Sequence, residues 1–142
     1  MFKRMVFLTA VAIVALGPGW ADETDKKIVL PVDRTNPTNA KQMYDSYCAS
    51  CHGPDAKGGG PVASQLKTAP PDLTILSREH DGKFPSAHIA AVLRFGVEVP
   101  AHGSAAMPVW GRVLGPLDPR NSQITDLRIA NLSHYLESIQ EK

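Results

Sequence analysis

Two thiols three positions apart, followed at once by an imidazole, are the part of this chain best equipped for chemistry. Cys48-Ala49-Ser50-Cys51-His52 has the form C-x-x-C-H, and Cys48 and Cys51 are the chain's two cysteines. Near a helix end, each sulfur of such a turn can add to one vinyl group of a haem. His52 then falls under the iron as an axial ligand, the pattern of c-type haem attachment. Three other readings compete with it. A thioredoxin-like dithiol would follow a strand in a βαβ unit, and no stretch of this sequence alternates convincingly between apolar and polar residues. A structural zinc site needs four ligands, of which the motif supplies three. A plain disulfide is chemically allowed in an exported protein.

The elements that must position this turn read as helices. Asn36-Pro37 gives a helix start, with Asn36 as N-cap and Pro37 at the first helical position. That helix is expected to run to about Cys48, with Ala40, Met43, Tyr44 and Tyr47 at helical spacing. A second is expected from Pro85 to Phe95, carrying Ile89, Val92 and Leu93 and ended by Gly96. The last is capped by Asn121 or Ser122, and Ile129, Leu132, Leu136 and Ile139 form its apolar stripe beside Tyr135. The expected fold class is therefore all-α, with three to four helices and long loops.

The N-terminus reads as an export signal. Lys3 and Arg4 precede an uncharged run of 12 residues, Met5 to Leu16, and Gly19-Trp20-Ala21 offers a cut before Asp22. Spanning a bilayer takes about 20 apolar residues, so a retained anchor fits less well. The expected organisation is a signal peptide over 1–21, an extended arm over 22–35 and one domain over 36–142. Removing the signal leaves 121 residues, with 13 basic against 14 acidic side chains. No charge block suggests a nucleic-acid partner. Of the 20 glycines and prolines that remain, 18 fall between Gly53 and Pro119. So loop-rich a middle, with a modest apolar supply, suggests folding around something besides its own side chains.

Cys48 to His52, Ala69-Pro70-Pro71-Asp72-Leu73-Thr74 and the stretch from His102 through Met107-Pro108 to Trp110-Gly111 together resemble the class I cytochromes c of bacteria. The resemblance covers most of residues 37–141. It implies a class I cytochrome c-like fold around one covalently bound haem c, with a loop methionine as the distal iron ligand. Met107, in a Gly/Pro-rich loop 55 residues after His52, is the candidate for that ligand. Met43, five residues before Cys48, reads as a core side chain, and His102 is the rival ligand. An iron-ligating histidine normally donates its other ring N–H to a fixed acceptor. In class I relatives a prolyl carbonyl does this, and Pro61 fits that role here.

Pro71, Leu73, Leu76, Val92, Leu93, Phe95 and Tyr44 are candidates for the apolar haem wall. Trp110 could donate to a haem propionate. The family often has a glycine four residues before the aromatic of the first helix, where this chain has Ala40; Ala40 and Tyr44 are expected against Leu132, Tyr135 and Leu136. His80, His88 and His134 read as surface residues, and Lys57, Lys67 and Lys83 are spread through loops without forming a basic ring.

The function this implies is single-electron transfer in the periplasm. The partners would be redox proteins acting as donor and acceptor, membrane-bound complexes among them, with no nucleic acid and no membrane span after signal cleavage. Two rivals stand beside it: a cytochrome c subunit of a larger oxidoreductase complex, and a haem enzyme with an open iron position.

Overall fold

The computed structural model describes residues 32–96 and 107–141. The expected signal peptide, the arm as far as residue 31, and His102 lie outside them. Among the described residues there are six α-helices and no strand. Three are longer than a turn or so: α1 (Ala40–Tyr47), α4 (Ser86–Phe95) and α6 (Ser122–Ser138). The others are short: α2 (Ala49–His52), α3 (Leu76–Glu79) and α5 (Trp110–Leu114). The expected count of three to four corresponds to the long set, and the added helices are short segments that periodicity does not register. No helix among the described residues is long and apolar enough to cross a membrane.

The long helices follow one rule of burial. Met43, Tyr44 and Tyr47 are buried on α1, Ile89 and Leu93 on α4, and Ile129, Leu132 and Leu136 on α6. Each set recurs at three- and four-residue spacing, so each helix turns one face inward. Helix α6 is the central element and packs against both α1 and α4, while α5 packs on α4. Where α1 meets α6, the Tyr44 and Tyr135 rings lie 5.3 Å apart at 44°. Ala40, partly buried against the same core, is small enough for that approach.

The start of α1 differs from expectation. Its N-cap is Asn39, whose Oδ1 accepts from the Gln42 N–H at 3.0 Å. Asn36 Oδ1 is already occupied by the Thr38 N–H at 3.0 Å and hydroxyl at 2.9 Å. That local turn draws Asn36 away from capping, so the helix begins three residues later. Pro37 stands before the helix, and its carbonyl accepts from Asn131 Nδ2 of α6 at 2.8 Å. The other boundaries fall where expected: α4 stops at Gly96, and Asn121 caps α6 through the Gln123 N–H.

The end of the arm is fastened by a polar node that the helical pattern does not disclose. Arg128, on α6, is only 1% exposed. Its guanidinium donates to Asp118 Oδ2 at 3.2 Å, Thr35 Oγ1 at 3.0 Å and Met43 Sδ at 3.7 Å. Thr35, itself buried, lies 2.7 Å from the Tyr47 hydroxyl, which donates to the Asp33 carbonyl at 2.8 Å. Arg34 adds an exposed ion pair to Asp118 at 3.6 Å. One buried cation thus ties the arm, α1 and the segment before α6 to α6 itself.

Candidate functional site

The C-x-x-C-H residues sit where α1 passes into α2. Cys48 closes α1, donating its N–H to the Tyr44 carbonyl at 2.8 Å, and keeps helical backbone angles. The next turn continues from it: the Cys51 and His52 N–H groups both reach the Cys48 carbonyl, at 3.1 and 2.9 Å. Both thiols are unpaired and half-buried. Burial, reinforced by the neighbouring Cys51 sulfur, pushes the Cys48 thiol up to about 12. That favours the protonated thiol over an exposed, ready nucleophile.

A helix this short leaves its last carbonyls without partners of its own, and the glycine loop supplies them. The Val62, Gly60 and Gly58 N–H groups bond the Ser50, Cys51 and His52 carbonyls at 3.0, 3.1 and 2.8 Å. Such proximity leaves no room for a side chain at Gly60, where a Cβ would stand 2.4 Å from the Ser50 oxygen. At Gly58, with φ +86°, a Cβ would stand 2.3 Å from the Pro70 carbonyl oxygen. Gly58 and Gly60 are therefore requirements of the turn they wrap, whereas a Cβ at Gly59 would meet nothing within 4 Å.

That contact brings the Pro70–Thr74 segment against the histidine. His52 Nδ1 lies 3.4 Å from the Pro71 carbonyl oxygen. A carbonyl only accepts, so Nδ1 carries the proton and the Nε2 lone pair is free. The acceptor expected from the resemblance was Pro61; the structure gives this place to Pro71 instead. Pro61 directly follows the glycines that cap the turn, and the chain comes back to the imidazole only after a further excursion. Burial holds the His52 imidazole below its usual range, partly opposed by the Pro71 hydrogen bond, and so favours the neutral form that can ligate a metal.

The Pro71 loop is held in turn. Asp72 Oδ1 accepts from the Thr74 hydroxyl at 2.6 Å and N–H at 2.8 Å. The Thr74 hydroxyl is the main reason the Asp72 carboxyl titrates below the usual carboxylate range. The Leu73 N–H bonds the Ala56 carbonyl at 2.8 Å. From beyond α6, Gln140 Nε2 donates to the Leu73 carbonyl at 2.7 Å while its Oε1 accepts from the Ser77 N–H at 2.8 Å. The Glu141 N–H closes on the Thr74 carbonyl at 2.7 Å. Gln140 and Glu141 support the site and were not foreseen, since neither residue type nor local spacing marks a partner 67 residues away.

The remaining candidates divide. Leu73 and Met107 are half-buried and pack on the same core as Cys48. Trp110 is buried, its ring stacked on Tyr47 at 5.6 Å and 28°. Tyr44, Leu76 and Leu93 are buried, Val92 is half-buried, and Met43 is fully enclosed as a core side chain. Pro61 and Pro71 are exposed. Phe95 does not join the wall: it is 67% exposed beside Arg94 at the end of α4. His80, His88 and His134 are on the surface, as expected.

As a donor set, two free thiols and an imidazole with its tautomer fixed suit a covalently held haem whose iron takes Nε2. Among the described residues, no group of three or more His, Cys, Asp or Glu gathers as a zinc site would need. Helices packed around a C-x-x-C-H turn define a c-type cytochrome domain. Residues 35–136 match the family described as cytochrome c oxidase, cbb3-type, subunit III, and the chain belongs to that family. The match starts at Thr35, where the arm is pinned to the domain. No curated protein and no solved structure matches the chain. Membership implies covalently bound haem c and haem-based electron transfer with redox protein partners.

Proposed function

We propose that the protein is an exported electron carrier with one haem c, attached through Cys48 and Cys51 and ligated by His52 and Met107. The observation that carries this reading is the His52 imidazole, neutral and aimed by the Pro71 carbonyl from within a C-x-x-C-H turn. A haem so bound supplies a single-electron couple, and thioether ligation raises its potential relative to two imidazoles. The chain's part is to keep both ligands in place and to exclude water. His52 is oriented by the loop around Pro71, and Met107 would be the second residue holding the iron, leaving no open place for a substrate. The sequence holds a single C-x-x-C-H, hence one haem. Residues 1–21 direct export, which places the carrier in the periplasm.

The family description supports a second reading, a cytochrome c subunit held in a larger oxidoreductase complex. Co-purification of a stable partner under mild extraction distinguishes it from a freely diffusing shuttle. The ligand assignment is tested by absorption spectra of haem-loaded protein matured in a periplasm. A weak far-red ferric band and no response of the ferrous form to carbon monoxide are expected. Met107→Ala keeps the covalent haem and binds carbon monoxide. An unchanged spectrum in that variant would remove Met107 from the iron, and a prompt carbon monoxide shift in the wild type would favour the haem enzyme.

A further inference from the structure

We propose that Gln140 is a positioning residue for the haem iron: it holds the Pro71 loop against His52 and so helps to set the reduction potential. The inference rests on reading His52 as an iron ligand. Gln140 stands half-buried just past the end of α6, and its one amide has three partners. Nε2 lies 2.7 Å from both the Leu73 and the Leu136 carbonyl oxygens, and Oε1 accepts from the Ser77 N–H at 2.8 Å. Two carbonyls can face only the amino end of an amide, so the surroundings fix which way this one points. Leu73 precedes α3, Ser77 lies within it and Leu136 belongs to α6. One side chain therefore fastens the Pro71 loop and α3 to the last turn of the central helix.

What this clamp controls is the aim of the Pro71 carbonyl. Pro71 is itself exposed, and its carbonyl oxygen stands 3.4 Å from His52 Nδ1. That is long for an N–H···O bond, so a small shift of the loop is enough to lose it. Two residues on, the Leu73 N–H is tied to the Ala56 carbonyl at 2.8 Å, and Gln140 takes the carbonyl of the same residue. Both polar backbone groups of Leu73 are thereby fixed. Glu141 assists through its backbone N–H, on the Thr74 carbonyl, which a side-chain substitution leaves in place.

The effect on the iron follows from charge. A hydrogen bond from its second nitrogen to a carbonyl makes an imidazole a more basic ligand. A more basic ligand favours ferric iron, which carries one more positive charge than ferrous. Loosening the Pro71 loop therefore raises the reduction potential. A residue that served stability alone would lower the denaturation midpoint and leave the potential where it is.

The test uses haem-loaded wild type, Gln140→Leu, Gln140→Ala and Asn131→Ala. Both Gln140 variants are uncharged, so no new field acts on the iron. Asn131 makes a comparable clasp from α6, to the Pro37 carbonyl at 2.8 Å, and serves as the control. Magnetic resonance of the ferrous wild type first reads whether the His52 ring protons carry the large shifts of a haem-bound imidazole. In both Gln140 variants the His52 Nδ1–H should then exchange with solvent about tenfold faster, the factor that one lost hydrogen bond permits, and the midpoint potential should rise. Asn131→Ala should lose stability and change neither. A shifted His52 ring with wild-type exchange and potential in the Gln140 variants overturns this inference alone. An equal response in Asn131→Ala also overturns it, because general loosening would then suffice. His52 ring protons without haem shifts overturn the ligand reading, and this inference with it.

Discussion

The turn that carries His52 and the node around Arg128 are both closed and both polar, yet they are held by opposite means. Around His52 the partners are backbone: three carbonyls of one helical turn meet three N–H groups of the Gly58–Val62 loop, and a prolyl carbonyl faces the imidazole. Around Arg128 they are side chains: a carboxylate, a hydroxyl and a thioether converge on one guanidinium. A site built from backbone depends little on side-chain identity and strongly on the absence of a Cβ at a few positions. A node built from side chains depends on every member, because removing one leaves the others buried without partners.

The largest effect should come from the side-chain node. Removing one partner of a buried ion pair costs ~3–5 kcal/mol, and Arg128→Ala should approach that figure in denaturant midpoints of the haem-loaded protein. Asp118→Asn combined with Arg128→Met should recover part of the loss, since it leaves no unpaired charge at the node. If the double variant is no better than Arg128→Ala, the node acts through the shape of the guanidinium and not through its charge. Next comes the backbone site. Gly60→Ala forces a Cβ against the Ser50 and Cys51 backbone, an overpacking worth ~1–3 kcal/mol. Because that turn carries His52, the proposed haem ligand, the haem absorption bands should shift as well. Arg128→Ala should leave those bands in place.

These two regions also differ in how far the sequence disclosed them. Covalent attachment would need its thiols and ligand on adjacent turns, so Cys48, Cys51 and His52 stand together in one stretch and can be read from it as candidates. Gly96 and Asn121 marked helix ends because each acts on its own neighbours. Asn36 misled because its side chain had two local uses and the turn to Thr38 took it. Pro61 misled because the acceptor of an imidazole N–H depends on where the chain returns, which the Gly58–Pro70 approach decides. Arg128 carried no local signal at all: Thr35 lies 93 residues away along the chain, and an arginine on a helix reads by default as a solvated side chain. Local and covalent constraints leave marks in one stretch of sequence, whereas hydrogen bonds between distant segments do not.

A smaller effect separates the hydroxyl of Tyr47 from its ring. Tyr47→Phe keeps the stack on Trp110 and removes the oxygen shared by Thr35 and the Asp33 carbonyl. The expected loss is about 1 kcal/mol, the usual net value of a buried hydrogen bond. Amide exchange near Thr35 should quicken more than exchange around Gly58. Equal acceleration in both places would mean that the arm and the haem turn open as one unit, and the contrast between the two regions would narrow.

The smallest effect belongs to Asp72, where a side chain does enter the backbone site. Its carboxyl is held below the usual range, chiefly by the Thr74 hydroxyl, with Lys57 and Arg78 adding lesser attraction. A carboxylate with a depressed folded pKa stabilises the fold above its unfolded pKa, near 3.8, and that stability drains away as pH falls through the lower folded value. Solvent reaches Asp72, so screening keeps the contribution under ~1 kcal/mol. The stability difference between wild type and Asp72→Asn should therefore stay constant from neutral pH down to about 5 and shrink below 3.8, with little response to moderate salt if the Thr74 hydrogen bond dominates. A difference that salt abolishes would transfer the effect to Lys57 and Arg78. In that case the Pro71 loop would be held against His52 by surface charge and not by the turn that Asp72 makes with Thr74.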